Sequence, residues 1–505
     1  MTPRRLLLPA LFLGLGFAPE AHAADITSSV GLPSSTDWEN ACGLPRTEPP
    51  ASRSELFDCD TSAYPEAACL HRVDIDTSPG AFPQATCGDG TPATFYIREG
   101  VGDLVNRWVI HLEGGAGCRD HASCLARWCG ADGFYTAEKM SSDWDADGTP
   151  NLPDHAFVLG IPTILPDNEF SGWTHVYIPY CSSDAWLGQA SDVTFSDGSD
   201  SLDVDMRGHS ILQAVRRMLR QKAPGAGWTA QDGYTVPDID DAVRILFTGT
   251  SAGGVGAVQN ADWFLDPFDD SVNGLVVDAA LDPLNTALSS SDVWIDLDDD
   301  GIGDTEYAPH RRSLLLDDWA PGGLFEQIDA FVDESCRASQ EPLGRMDRCS
   351  LTSKILKLNS GGGPMIETQT FVRHDLEDNA IGGNHVAMPT GETLLVGGST
   401  GTPMTIEDYA VIMRETIVAL YDDHDSVTGA YAPKCGKHVG LPRLLAFGAD
   451  TTSDTDGSVS PAALIAGTAS TFHDALDTWF GIGGVFVDTR HIDTDEPGVT
   501  FSTCY

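Results

Sequence analysis

Basic residues are scarce in this 505-residue chain: 29 Lys and Arg stand against 75 Asp and Glu, a formal net charge of −46. That balance excludes nucleic acid as a ligand, because phosphate backbones are held by clustered Lys and Arg. The ordinary reading of such an excess is solubility, in salty surroundings or with bound calcium. Long apolar runs are missing as well. The stretch from Leu6 to Ala18 is too short to cross a bilayer, and no later segment is long enough. Paired Cys-x-x-Cys spacings of the zinc-site kind are absent, and no Gly-Lys-Ser/Thr follows the chain's Gly-rich loops.

An export leader is legible in the first residues. Arg4 and Arg5 precede the apolar stretch, and Ala21-His22-Ala23 supplies a small-x-small cleavage pattern. Residues 1–23 therefore read as a secretory signal peptide, with the mature chain starting near Ala24. No Cys follows the cleavage point, so no lipid anchor is expected there. The protein is expected to be a soluble monomer, secreted to the periplasm or the medium. Twelve cysteines, all beyond the leader, fit an oxidising compartment, with Cys118/Cys124 and Cys336/Cys349 as short disulfide staples.

Residues 24–80 are rich in Pro, Ser, Thr and Cys without sustained periodicity, which predicts an irregular extension pinned by disulfides. Regular punctuation follows. Ala93–Ile97, Trp108–Leu112, His175–Pro179, Val243–Thr248, Leu275–Val277 and Met365–Val372 read as strands. Several are nearly continuous apolar runs, which suits parallel strands covered on both faces. Arg207–Gln221 reads as a helix with Ile211, Ala214, Val215, Met218 and Leu219 on one face, and Ala252–Trp263 and Thr471–Phe480 as two more. Strands alternating with helices predict an α/β fold with a mostly parallel central sheet, and residues 81–505 form one catalytic domain.

Two Gly-rich turns carry chemistry. Gly249-Thr250-Ser251-Ala252-Gly253 lies between an apolar strand and a helix, where a sharp turn would expose the Ser251 hydroxyl as a nucleophile. Glu113-Gly114-Gly115-Ala116-Gly117-Cys118 follows the strand ending at Leu112. Its backbone N–H groups, from Ala116 or Gly117, together with that of Ala252, suit an oxyanion hole.

The chain resembles the pectin acetylesterase/Notum family of secreted esterases. The likeness rests on ordered blocks: Pro92–Tyr96, Trp108–Asp120 (WVIHLEGGAGCRD) with Ser123-Cys124, Trp173–Cys181 (WTHVYIPYC), Gly249–Gly254 (GTSAGG), Val277–Leu281 (VDAAL), Lys434–His438 (KCGKH) and Asp474–Phe480 (DALDTWF). The resemblance implies an α/β-hydrolase-like fold, with helices on both faces of the sheet, loop insertions and disulfides. It also implies a Ser-Asp-His triad in that chain order and no catalytic cofactor. On spacing alone His385, His424 and His473 compete for the base, and the family's Cys-x-x-His context selects His438. The family's acid stands just after a strand, which selects Asp375, with Asp378 as the runner-up. Two departures from the family pattern bear on substrate. Ala116-Gly117 replaces a Gly-Trp pair in the oxyanion loop, and Tyr180-Cys181-Ser182-Ser183-Asp184 replaces Tyr-Cys-Asp-Gly.

Two acidic loops have calcium-ligand spacing. Residues 143–154 place Asp143, Asp145, Asp147, Asn151 and Asp154 at positions 1, 3, 5, 9 and 12 of an EF-hand-type loop, with Gly148 at the turn. Residues 296–307 repeat the pattern through Asp296, Asp298, Asp300 and Asp304, but end on Tyr307. Structural calcium is the expectation for these insertions, against the plainer reading of two solvated acidic loops.

The resemblance implies acetyl or other short-chain esters on carbohydrate as substrates. The net charge opposes a polyanion such as de-esterified pectin; basic residues are sparse, though Arg119, Arg127, Arg207 and Arg373 fall within or near the site blocks. The alternatives are a lipid-type deacylase on the same fold, which needs a deep apolar pocket, and a non-catalytic, calcium-stabilised carbohydrate-binding or adhesion protein.

Overall fold

The computed structural model describes residues 56–57, 70–129, 131–132, 135–136, 139–142, 169–220, 235–282, 318–357, 359–360, 363–378, 406–423, 426–436, 438–441, 451–452, 470–480 and 485–493. The leader, most of 24–80 and both calcium-type loops lie outside the described residues.

The main strands are β1 (Leu56–Phe57), β2 (Leu70–Asp74), β3 (Thr94–Arg98), β4 (Arg107–Leu112), β5 (Thr174–Ile178), the hairpin β6 (Ala190–Ser196) and β7 (Ser201–Met206), β8 (Arg244–Thr250), β9 (Val272–Asp278), β10 (Gln369–Arg373), β11 (Val427–Ala432) and β12 (Thr489–Ile492). All but the hairpin join one sheet in the order β1-β2-β3-β5-β4-β8-β9-β10-β11-β12. Pairing from β5 onward is parallel throughout. The other edge, β1 to β3, is antiparallel and meets β5 antiparallel. The order doubles back at β4, so the chain winds outward in both directions from the centre.

Alternating side chains fill two cores. Val109, Leu246, Val276 and Phe371 face one side, where helix Phe472–Phe480 inserts Phe472, Leu476, Trp479 and Phe480. Ile110, Phe247, Val277 and Val372 face the other, against helices Gly208–Leu219, Ala252–Leu265 and Ile406–Asp423. Every residue of β8 is buried, so its sequence has no polar face to give it a period of two. This is the α/β-hydrolase-like sheet covered on both faces. Three disulfides join pairs of described residues: the expected Cys118–Cys124 and Cys336–Cys349, and Cys87–Cys181, which ties the approach to β3 to the exit from β5.

The structure corrects the expected boundary of the irregular extension. Leu70–Asp74, placed within it, is β2, hydrogen-bonded in register to β3 with Val73 fully buried. Its alternation is only five residues long, too short to stand out beside the Pro- and Cys-rich sequence before it. Strands β11 and β12 and helix Ile406–Asp423 also escaped the reading. Gly429, Ala430 and Ala432 dilute the β signal of β11, and Gly429 is there because Phe371 lies where its Cβ would go, 2.2 Å from the ring.

Candidate active site

β8 ends at Thr250 and the helix Ala252–Leu265 begins with one residue between them, so Ser251 carries the whole reversal. Its backbone sits at φ 52°, ψ −123°, which costs a side-chain-bearing residue energy and marks a turn held by its surroundings. Two glycines make that turn possible. A Cβ on Gly249 would stand 2.0 Å from the carbonyl oxygen of Gly253, and one on Gly253 would stand 2.2 Å from that of Leu112. The serine's own N–H donates to the main-chain oxygen of Asp278, 2.9 Å away at the end of β9.

His438 follows β11 on a loop, and its Nε2 lies 2.8 Å from Ser251 Oγ. Its Nδ1 lies 2.8 Å from Asp378 Oδ2. The serine and histidine are nearly covered and Asp378 is wholly buried, so these contacts face little competing water. His438 was the expected base and Ser251 the expected nucleophile, and the structure brings them together.

The expected acid does not join them. Asp375 points to Arg373, Oδ1 to Nη2 2.6 Å, while the runner-up Asp378 meets the histidine. Arg373 ends β10 two residues before Asp375 and captures its carboxylate in a buried ion pair. A turn, in which the N–H of Asp378 donates to the oxygen of Asp375 at 3.1 Å, carries the chain three residues further to the imidazole. Proximity to the strand end therefore points to the carboxylate that does not reach the imidazole, because the chain needs that turn to reach across. His374 stacks into the same region, 4.0 Å from Asp378 Oδ2 and 3.1 Å from the Tyr409 hydroxyl. Burial pushes its pKa down to about 4, so it is a neutral neighbour of Asp378 at pH 7.

Ala116, Gly117, Ser251 and Ala252 line one cavity of about 280 Å³. Ala116 has φ 53° and Gly115 φ 142°, so this loop is as tightly bent as the serine turn beside it. Glu113 anchors it from below. Its Oε1 accepts from Lys139 Nζ, its Oε2 from the N–H of Tyr180 (2.7 Å), and its main-chain oxygen from Trp186 Nε1 (3.0 Å). Sequence reading passed over Glu113, Lys139 and Asp278. A buried charge at the carboxyl end of an apolar strand was the available signal for Glu113 and Asp278.

The rest of the cavity is mostly apolar, with Leu187, Met206, Val255, Leu281, Phe325 and Ile328 among its walls. Asp184, Asp282 and Asp318 also reach it. The arginines near the site are engaged elsewhere: Arg373 with two aspartates, Arg127 with Ser183 Oγ, and Arg207 with the carbonyl of Pro83. Arg119 alone of the four lines the cavity, and it is 2.7 Å from Asp318. Among the described residues no His, Cys, Asp and Glu cluster of metal-binding geometry is found, and no helix is long and apolar enough to cross a membrane. The nine aspartate and asparagine ligands proposed for calcium all lie outside those residues.

Comparison with known proteins places this geometry in context. Residues 73–280 match the model of the family described as Pectinacetylesterase, a span that holds the Gly-rich loop after β4 and Ser251 and ends before Asp378 and His438. Palmitoleoyl-protein carboxylesterase NOTUM of Drosophila melanogaster is 33% identical over 357 residues, 70% of this chain and 43% of that protein. The human protein of the same name is 30% identical over 211 residues, 41% and 34% of the two chains, and notum1a of Danio rerio is 29% identical over 264, 52% and 42%. The chain thus spans less than half the length of these curated relatives. A solved structure of the Drosophila Wnt deacylase Notum aligns with a TM-score of 0.49 and 20% identity, covering 84% of this chain and 96% of that one.

Proposed function

Starting from a chain related to the pectinacetylesterases and Notum esterases, we propose that this protein is a secreted serine carboxylesterase acting through Ser251, His438 and Asp378. The observation that carries the reading is the continuous pair of 2.8 Å contacts from Ser251 Oγ through the imidazole to Asp378. Asp378 accepts the Nδ1 proton and so leaves Nε2 as an acceptor facing the serine. Ser251 attacks the ester carbonyl as His438 removes its proton. The oxyanion that forms is met by N–H groups of Ala252 and of Ala116 or Gly117. Collapse expels the alcohol, protonated by His438, and leaves an acyl-Ser251. Water, deprotonated by the same histidine, then releases the acid. The leader-like first residues and the disulfides support export.

For the substrate, an acetyl or other short-chain ester on an uncharged carbohydrate fits the family and the charge. The arginines are already paired with protein groups, and the site adds three carboxylates, which disfavours a polyanion. A second reading has one observation in its favour. The cavity approaches the ~300 Å³ at which drug-sized ligands begin to fit, and its walls are those of an acyl-chain pocket. That is the lipid-type deacylase, the activity for which the Notum relatives are named. The intact contact chain supports either esterase over a non-catalytic binding protein. Hydrolysis of 4-nitrophenyl esters from acetate to decanoate by wild type and Ser251→Ala tests both levels. Wild-type activity lost in the variant supports the esterase, and equal hydrolysis by both proteins refutes Ser251. An optimum at acetate supports the short-chain ester. A rise of roughly fourfold per added methylene, the ~0.8 kcal/mol of a buried CH₂, supports the deacylase instead.

A further inference from the structure

Asp278 closes β9, between the strand that delivers Ser251 and the strand that leads to Asp378. In register it pairs with Thr250 on one side and Arg373 on the other. It is completely buried, and every polar atom it offers past its own N–H is engaged at the site. Its main-chain oxygen accepts the N–H of Ser251 at 2.9 Å. Its Oδ2 accepts the N–H groups of Gly440 and Leu441, each at 2.8 Å, two and three residues after His438. Its Oδ1 takes Nη1 of Arg373 at 3.0 Å. The same guanidinium holds Asp375 and lies under the histidine loop, where a Cβ on Gly440 would stand 2.6 Å from Nε.

We propose that Asp278 is the positioning residue that fixes the imidazole of His438 relative to Ser251. The inference rests on the triad reading above. The nucleophile turn and the base loop come from distant parts of the chain, and among the described contacts Asp278 is where one residue holds both. Its two carboxylate oxygens both face donors: a guanidinium on one side, two peptide N–H groups on the other. A carboxylate satisfies that arrangement and an amide cannot, since its NH₂ must face one set of donors. The alignment of His438 therefore depends on the charge state and chemistry of a side chain that touches neither substrate nor imidazole.

The test compares Asp278→Asn with Asp375→Asn in the full chain. Each weakens one of the two ion pairs of Arg373, but only Asp278 holds the His438 loop. Both variants are expected to melt earlier than wild type. Only Asp278→Asn should lose kcat on 4-nitrophenyl acetate, by about 10- to 100-fold, the loss that a displacement of up to ~1 Å brings. KM should stay close to the wild-type value, and the rate at which a fluorophosphonate labels Ser251 should fall in parallel. Equal losses of kcat in the two variants, or wild-type kcat in Asp278→Asn, would overturn the proposal. A measurement on the unaltered chain decides the matter should the Asn variant not fold. Amide exchange at Gly440 and Leu441 should be as slow as in β10, and exchange at the rate of an open loop overturns it. If the wild-type protein is not labelled at Ser251, the triad reading fails by itself, and the exchange result still reports whether Asp278 holds the loop.

Discussion

Asp378→Asn changes the charge of one buried group and almost none of its volume. In the wild-type geometry Oδ2 of Asp378 accepts the Nδ1 proton of His438 across 2.8 Å, with the carboxylate fully buried. An asparagine there has two choices. Presenting its oxygen keeps the tautomer but removes the charge that stabilises the imidazolium during proton transfer. Presenting its NH₂ makes Nδ1 the acceptor and moves the ring proton to Nε2, facing Ser251 Oγ at 2.8 Å, where a lone pair is required. The second choice disables the base. In serine hydrolases the corresponding change lowers kcat by about 10⁴, or about 5 kcal/mol at 1.36 kcal/mol per decade. KM should change little, because the interaction lost is one made in the transition state. The variant should fold normally, since a neutral imidazole is left beside a neutral amide and no buried charge is stranded. Steady-state hydrolysis of 4-nitrophenyl acetate at pH 7 to 8 measures kcat, with thermal melting as the control for folding. Asp375→Asn in the same assay should keep its kcat within a fewfold while melting lower. An Asp378→Asn enzyme within tenfold of wild type, or a folded Asp375→Asn enzyme down by 10⁴, would refute the assignment.

Three further outcomes follow from the same geometry. Lys139→Met leaves the Glu113 carboxylate buried without its cation, which should cost about 3–5 kcal/mol in denaturant unfolding and loosen the oxyanion loop; adding Glu113→Gln should recover much of that stability, and no recovery would argue against the pair. Burial pushes His209, His374 and His491 each down to about 4. Unfolded imidazoles take up protons near pH 6.5 and the folded ones only near 4, so stability present above pH 6.5 is lost as pH falls toward 4, by up to about 3 kcal/mol per group. Asp333, raised to about 6 by burial, contributes with the opposite sign between pH 6 and 3.8, and Asp184 and Asp477, which burial also raises, share that sign; His175, held well below its ordinary value by burial, adds to the three imidazoles. Melting scans from pH 7.5 to 4 in 1 M NaCl, where the net charge is screened within about 3 Å, should show a falling midpoint, and a flat or rising one contradicts the account. Calcium in the loops at 143–154 and 296–307 should raise the melting temperature without changing kcat, as read by calorimetry with and without EDTA; identical scans would leave them as acidic surface loops.

How much could be read in advance depended on whether a signal was local. The strands around Val109, Leu246 and Val276 were legible because burial on both faces makes a sequence continuously apolar. The helix Gly208–Leu219 was legible because its buried positions repeat with the helical period. Strand β11 was not, since Gly429 answers to the Phe371 ring on a neighbouring strand rather than to its own neighbours in the chain. Strand β2 was hidden by the composition of the segment before it.

Ser251 illustrates what the sequence by itself determined. Gly249 and Gly253 are dictated by backbone atoms within 2.2 Å of where their Cβ atoms would be, so the turn and its serine form a local pattern that any reading along the chain can find. The Gly-rich loop after β4 is local in the same way. The acid was not. Asp375 and Asp378 lie three residues apart in an acidic chain, and the nearby Arg373 does not by itself say which of them it binds. Arg373 binds the first through an ion pair, and a turn delivers the second to a histidine 60 residues away. The part of Asp278 was still less visible, because its oxygens answer to Ser251 and Gly440, which only the folded sheet brings to the same place. The glycines that the serine turn requires recur at fixed spacing around Ser251, so they are legible along the chain even where, as at Gly253, the atom that demands them belongs to another strand. Electrostatic partnerships act through space, and the tertiary structure decided them.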